Sequence, residues 1–236
     1  MPERSFRTNL DRYLRKEDTF LARQLHRCVP LQGYAYRNSE AKRRTDRIIA
    51  FPMAACALPL IAILAIAKKL EDGGSCFYTQ QRLDQHREPI DVVKIRCMRP
   101  DADQNMGANL HNAVRFGEDK DPRNTRLGSF MRKFELEELP QLLWVWKNLS
   151  LVEIRSAPQY VFDHLHRMCP DWADEWEEYY FSGRPGIFSL NSAVNRKRKD
   201  DTRRYHLDAL YARKASLGLD LFVLYRTVVR MIDKLL

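Results

Sequence analysis

The chain has 236 residues, enough for one domain with appendages and too few for a long repeat array. Apolar residues make up 44% and charged residues 30%, which supports a core and excludes wholesale disorder, while a mean hydropathy of −0.52 excludes a polytopic membrane protein. The 40 Lys and Arg against 31 Asp and Glu leave a net charge of +9 and point to an anionic partner: nucleic acid, anionic lipid or a phosphorylated substrate.

Residues 1–40 are polar and basic and read as an N-terminal extension with a short helix or two. Its opening, MPERSFRTNLDRYLRKED, has no apolar stretch, so no signal peptide is expected. Cys28, Cys56, Cys76, Cys97 and Cys169 are odd in number and scattered, without a CxxC or Cys/His cluster. That spacing argues against a disulfide framework or a zinc site and for reduced thiols facing the cytoplasm.

From Ile48 to Ala67 the chain carries no charge. At about 1.5 Å per residue a helix here reaches roughly 30 Å, the thickness of a bilayer's hydrocarbon core. A buried core helix and a simple span are the plainer readings. Pro52 and Pro59 lie inside the run, however, and an interior proline kinks or breaks a helix. Both flanks are also basic, with Lys42, Arg43, Arg44 and Arg47 before and Lys68 and Lys69 after. Cations favour the cytoplasmic side, so the sequence favours a re-entrant segment that bends near Pro59 and returns to the same face.

Residues 74–98 hold β-favouring runs around a polar turn and predict a hairpin. The stretch 100–124 reads as loop, and a helical pattern follows from Arg126 to Val152, interrupted at Pro140. Residues 159–181 predict another helix, before a Gly-Arg-Pro-Gly turn, a basic run from Arg196 to Lys199, and a final helical region from about Thr202. The basic run has no interleaved aromatic residue, so it reads as a solvated loop or lipid contact and no nucleic acid is expected. In residues 217–236, Arg226, Arg230 and Lys234 form one stripe, with Leu221, Leu224, Tyr225, Val228, Ile232 and Leu235 largely away from it. The pattern is a basic amphipathic helix, which lies either in a headgroup layer or as a surface helix on the core. The fold class expected is α+β, mostly helical, with a re-entrant membrane hairpin, a small β-hairpin or sheet and amphipathic surface helices.

Chemistry concentrates in DPRNTRLGSFMRKFELEELPQ, residues 121–141. Arg123, Arg126, Arg132 and Lys133 stand near the carboxylate pair Glu137 and Glu138. Guanidinium groups bind phosphate oxygens through paired hydrogen bonds, and adjacent carboxylates can divide nucleophilic attack or proton transfer from holding a divalent metal. Mixed charges on a surface helix are the plainer reading of the same residues.

The order of motifs resembles the bacterial sugar transferases, the monotopic polyprenyl-phosphate phosphoglycosyl transferases. KRRTDRIIA precedes the proline-broken apolar run, followed by Gly74, QQR (Gln80 to Arg82) and KIRCM (Lys94 to Met98). DPRNTRLGSFMRK with LEELPQL is similar to that family's DPRxTxxGxxLRKxxLDELPQL; SLV (Ser150 to Val152), RPGI (Arg184 to Ile187), Asp208, Tyr211 and SLGLDL (Ser216 to Leu221) then follow in order. The resemblance covers about Lys42 to the C-terminus, giving a transferase-like domain over residues 41–236.

It implies attachment to the cytoplasmic face of the inner membrane and transfer of a phosphosugar from a nucleotide (UDP) sugar to a polyprenyl phosphate in polysaccharide or glycoconjugate synthesis. It places the nucleophile at Glu137 and a Mg2+ ligand at Glu138. Phosphate-binding slots fall on Arg132, Arg155, Lys94 and Arg96, in a stretch that also holds Arg123, and the break in the membrane segment falls at Pro59. A homo-oligomer or a partner subunit is left open.

The chain also departs from the family pattern. Glu137 replaces Asp and extends the carboxylate by roughly 1.5 Å, where a misplacement of about 1 Å costs on the order of 100-fold in rate. SLVGPRP reads SLVEIRS (Ser150 to Ser156), and Glu153 sets a negative charge where the resemblance puts a diphosphate. PGIFS stands for PGITG, Asp84 for a glycine, and Leu58 for a serine. A second reading is therefore a fold that has lost catalysis and serves as a membrane-bound partner or regulatory subunit.

Overall fold

The computed structural model describes residues 32–102, 121–168, 170–194 and 201–234. The expected loop at 100–124 and the basic run at 196–199 lie largely outside these, as do Cys28 and Cys169. Cys56, Cys76 and Cys97 are free thiols.

Helix α1 (Gln32–Asn38) leads into α2 (Glu40–Asp72). Ser39 caps α2, its side chain accepting from the Lys42 amide at 3.1 Å, and Gly73 ends it in the left-handed region at φ 70°, where glycine avoids the Cβ penalty. The helix continues through Pro52 and Pro59, so the two-armed hairpin expected at Pro59 is not seen as separate helices. One face is buried end to end: Lys42, Asp46, Ala50, Ala54, Ala57, Ile61, Leu64 and Lys68 recur at three- and four-residue steps. The alanines let neighbouring backbone approach closely. Ile48, Phe51, Leu58, Leu60, Ile63, Ile66 and Leu70 occupy the exposed face.

Buried lysines hold both ends of that stripe to the same body. Lys42 Nζ lies 2.7 Å from Asp46 and 2.7 Å from Asp220. Lys68 Nζ reaches Asp72 at 2.8 Å and Thr125 Oγ1 at 2.8 Å.

Strands β1 (Phe77–Leu83) and β2 (Pro89–Ile95) form the expected antiparallel hairpin, running from Phe77 opposite Ile95 to Leu83 opposite Pro89. Asp84 closes its turn, accepting from the amides of His86 and Glu88 at 2.7 and 2.9 Å. The helical stretch predicted from Arg126 to Val152 divides into α3 (Arg126–Phe134), a 3₁₀ segment (Leu136–Trp146) that passes through Pro140, and β3 (Ser150–Val152). The single helix expected at 159–181 is two, α4 (Gln159–Met168) and α5 (Pro170–Phe181), with Pro170 opening the second as the first helical residue tolerates.

Strand β4 (Gly186–Phe188) pairs in parallel with β3, and α6 (Leu190–Val194), α7 (Asp201–Lys214) and α8 (Leu217–Asp233) complete the chain. A Cβ on Gly186 would fall 2.5 Å from the Glu153 amide nitrogen, so this strand pair requires glycine there. Phe162, Trp176, Tyr180, Phe181 and Tyr205 stack into an aromatic core between α4, α5 and α7. Helix α8 buries Leu219, Phe222 and Val223 and exposes Leu217, Leu221, Tyr225, Val228 and Ile232, so it is packed on the core and apolar outside.

Candidate active site

Three elements converge at one end of the hairpin. Strand β2 supplies Lys94, the 3₁₀ segment supplies Glu137 and Glu138, and the turn after β3 supplies Arg155. The 3₁₀ segment is aimed by Glu135, whose left-handed φ of 58° ends α3 sharply and whose carboxylate is held by Arg230 of α8 at 2.5 Å. Helix α3 presses against the end of β2 because Gly128 has no Cβ; one there would fall 1.8 Å from the Cys97 carbonyl oxygen.

The two carboxylates have different surroundings. Glu138 is buried, and its Oε1 accepts from Lys94 Nζ at 3.0 Å and from Arg155 Nη2. Burial alone would raise its pKa, but Arg155, Lys94 and Arg82 outweigh that and hold the carboxyl well below the usual carboxylate range. Glu137 turns inward, and its Oε2 is buried without a hydrogen-bond partner among the described residues. Burial and the neighbouring Glu138 charge push its pKa up to about 7, against the pull of Lys94 and Arg155. Burial likewise pulls Lys94 down to about 8, with Glu138 opposing. Adjacent acids in unlike environments are what a division of chemical roles needs.

A second group adjoins the first. Arg132 donates to Asn124 Oδ1 at 3.3 Å and lies 3.9 Å from Asp121, whose carboxylate also takes Arg123 Nη2 at 2.7 Å. Burial pushes the Cys97 thiol up to about 12, with Glu137 adding to the shift and Arg132 opposing it, so both charges act on one buried thiol. Arg96 lies outside this arrangement. Its guanidinium is taken up by Asp72 at 2.5 and 3.0 Å and by the carbonyls of Ser75 and Met98, and so ties the hairpin to the end of α2.

Two residues that bear on the site were not marked as site residues in the sequence. Arg82 lies buried on β1, donating to Ser156 and to Gln80 Oε1 at 3.0 Å, and its charge acts on Glu138. The QQR motif was the available signal. Arg37 of α1 pairs with Glu153, whose carboxylate lies in a buried contact 2.9 Å from Arg37 Nε. The repulsion expected from Glu153 is therefore corrected: its charge is paired, and it acts in the frame of the turn.

The sequence model of the family described as bacterial sugar transferase matches residues 37–234. The chain belongs to that family. It is 31% identical over 202 residues to an undecaprenyl-phosphate galactose phosphotransferase of Salmonella typhimurium, covering 82% of this chain and 41% of that protein. It is 30% identical over 220 residues to a UDP-N-acetylgalactosamine-undecaprenyl-phosphate N-acetylgalactosaminephosphotransferase of Aeromonas hydrophila, covering 90% and 48%. With the exopolysaccharide production protein ExoY of Sinorhizobium fredii it shares 29% over 197 residues, covering 80% and 84%. The chain thus spans under half the length of the first two relatives and most of the third.

Proposed function

We propose that the chain is a membrane-bound phosphoglycosyl transferase, moving a sugar phosphate from a UDP-sugar to undecaprenyl phosphate in bacterial polysaccharide or glycoconjugate synthesis. The observation that carries this reading is the inward-facing Glu137, with a free carboxylate oxygen, beside a Glu138 clamped by Lys94 and Arg155. The printed activities of the Salmonella and Aeromonas relatives support the reaction class.

Lys94, Arg155 and Arg132 hold the donor's diphosphate oxygens through charge-assisted hydrogen bonds. A Glu137 oxygen attacks the sugar-bearing phosphorus, forming an O–P bond as the bond to the nucleoside monophosphate breaks. An oxygen of the polyprenyl phosphate then attacks the same phosphorus and releases the Glu137 carboxylate. Mg2+ fits this site. Among the described residues no three His, Cys, Asp or Glu gather into a cage, whereas magnesium on a diphosphate needs only one or two carboxylates. Glu138 would hold it, and the ion would neutralise charge on the diphosphate.

Helices α2 and α8 support membrane attachment. Both ends of the apolar run of α2 are tied to one globular body, which supports a reading with both ends on the cytoplasmic side and the exposed apolar faces of α2 and α8 towards the leaflet. The partner-subunit reading loses its electrostatic argument, because Glu153 is paired with Arg37.

The test is nucleoside monophosphate release from a panel of UDP-sugars with undecaprenyl phosphate and Mg2+. Slow turnover is expected, raised by Glu137→Asp and abolished by Glu137→Gln. Silence of both wild type and Glu137→Asp across the panel, with nucleotide sugar still bound, would replace this reading with the partner-subunit one.

A further inference from the structure

Three cations stand at the start of the apolar run of α2, and the proposed reaction uses none of them. Arg43 and Arg47 lie one helical turn apart, directly before Ile48, and Arg184 comes from the turn between α5 and β4. Arg43 and Arg184 line one shallow cleft, open to solvent and enclosing only about 10 Å³, with Arg37, Lys42, Asp46 and Ser150 also in its wall. Burial and the charges of Arg43 and Arg47 loosen the proton of Arg184, so the three groups share one field.

The acids within reach are already engaged. Asp46 accepts from Lys42 Nζ at 2.7 Å, from Ser150 Oγ and from the Leu151 amide at 3.1 Å, and Glu40 carries Arg44 at 3.4 Å. Among the described residues none of the three guanidinium groups has an ion pair or side-chain hydrogen bond. Glu40 and Asp46 pull against their mutual repulsion from outside the group, and an anion seated between the like charges adds to that relief. Guanidinium forks match phosphate oxygens in particular.

Position selects the source of the phosphate. Ile48 is 72% exposed and Phe51 68% exposed within the next turn of the helix. Exposed Trp146 follows Val145, which lines the same cleft. Aromatic and apolar groups at the level of the acyl chains, with cations one turn away, put the cleft at the height of the headgroups.

We propose that the cleft lined by Arg43 and Arg184, with Arg47 one helical turn from Arg43, binds the phosphodiester headgroup of an anionic membrane phospholipid. This rests on the reading that α2 lies in a leaflet, and its ligand chemistry is shared with free phosphate.

The experiment is flotation of the purified full chain with vesicles of phosphatidylcholine alone, or with about a quarter phosphatidylglycerol to supply surface charge. Wild type prefers the anionic vesicles, and Arg43→Gln and Arg184→Gln each lower that preference roughly fivefold, while nucleoside monophosphate release in detergent stays unchanged. Arg44→Gln removes the same charge from the exposed side of the helix and keeps the preference. An equal loss with Arg44→Gln would reduce the effect to net charge and overturn the site. Equal binding of wild type to both vesicles overturns the headgroup site and leaves the membrane reading standing, whereas binding to neither overturns the membrane reading. Inorganic phosphate that erases the preference at constant ionic strength would assign the cleft to a free anion and also overturn the proposal.

Discussion

Arg37 and Glu153 form a buried ion pair in which both carboxylate oxygens lie 2.9 Å from the arginine Nε. The rest of the guanidinium reaches Ser182 Oγ at 2.5 Å and the Tyr179 carbonyl at 3.0 Å, so α1, α5 and the turn after β3 meet at one residue. Glu153 precedes Arg155 by two positions, and this pair anchors the turn that presents Arg155 to Glu138. Removing one partner of a buried pair leaves an uncompensated charge, at a cost of about 3–5 kcal/mol. Arg37→Met is therefore expected to lower the unfolding temperature sharply, and adding Glu153→Gln to recover much of the loss. A double variant no more stable than Arg37→Met would show that packing, and not charge, is what Arg37 contributes.

Arg155 gives a sharper probe of the site than its stability does. Its Nη2 donates to Glu138 Oε1, the same atom that takes Lys94. Losing one charge-assisted donor at a site of developing negative charge costs on the order of 100-fold in kcat. Arg155→Gln should show that loss in nucleoside monophosphate release, with an unfolding temperature lowered less than by Arg37→Met, because Lys94 still pairs with Glu138. Unaltered kcat would remove Arg155 from the proposed diphosphate contacts.

Asp208 supplies a pH dependence of stability. It is buried, and burial pushes its pKa up to about 6, with Arg204 and the hydrogen bond from Trp176 Nε1 at 3.3 Å opposing. The folded pKa lies above the unfolded value, so the native state binds the extra proton. Its stabilisation is complete below the unfolded pKa of about 4 and is lost as pH rises through about 6. Above that pH the charged form costs on the order of 3 kcal/mol. Asp208→Asn, which can still accept from Trp176, should raise the unfolding temperature at about pH 7.5 and bring the two proteins together near about pH 4.5. A constant difference across that range would rule out titration of Asp208 as the cause.

Topology is tested by cysteine reactivity. In a background lacking the native cysteines, Glu40→Cys and Leu70→Cys flank the apolar run at exposed positions, and Leu70 is 82% exposed. Both are expected to react with a membrane-impermeant maleimide from the cytoplasmic side. Native Cys56, exposed on the outer face of α2 within the apolar run, should be shielded from the same reagent in membranes and react in denaturant. Reaction of positions 40 and 70 from opposite sides would make α2 a span.

Much of the fold is legible in local pattern. The hairpin at 77–95 follows from β-favouring residues around Asp84, and the family follows from the order of motifs between Lys42 and Leu221. The division of 126–152 into α3, a 3₁₀ segment and β3 escapes a helical pattern because Glu135 turns left-handed under the hold of Arg230, nearly a hundred residues away in sequence. Two helices replace one at 159–181 because Pro170 starts a new element within an unbroken apolar rhythm.

Residue types and their spacing were enough to mark an apolar helix with basic flanks, a carboxylate pair beside arginines, and the family that joins them, because these depend on neighbours a few positions apart. The environment of each charge depends on partners brought from far along the chain. Glu138 is ionised because Lys94 and Arg155 converge on it, Arg96 is withdrawn from the site by Asp72, and Glu153 is neutral in effect because Arg37 is folded beneath it. Coulomb energy and desolvation are set by distance and burial in space, so the chemistry assigned to each of these residues emerges with packing.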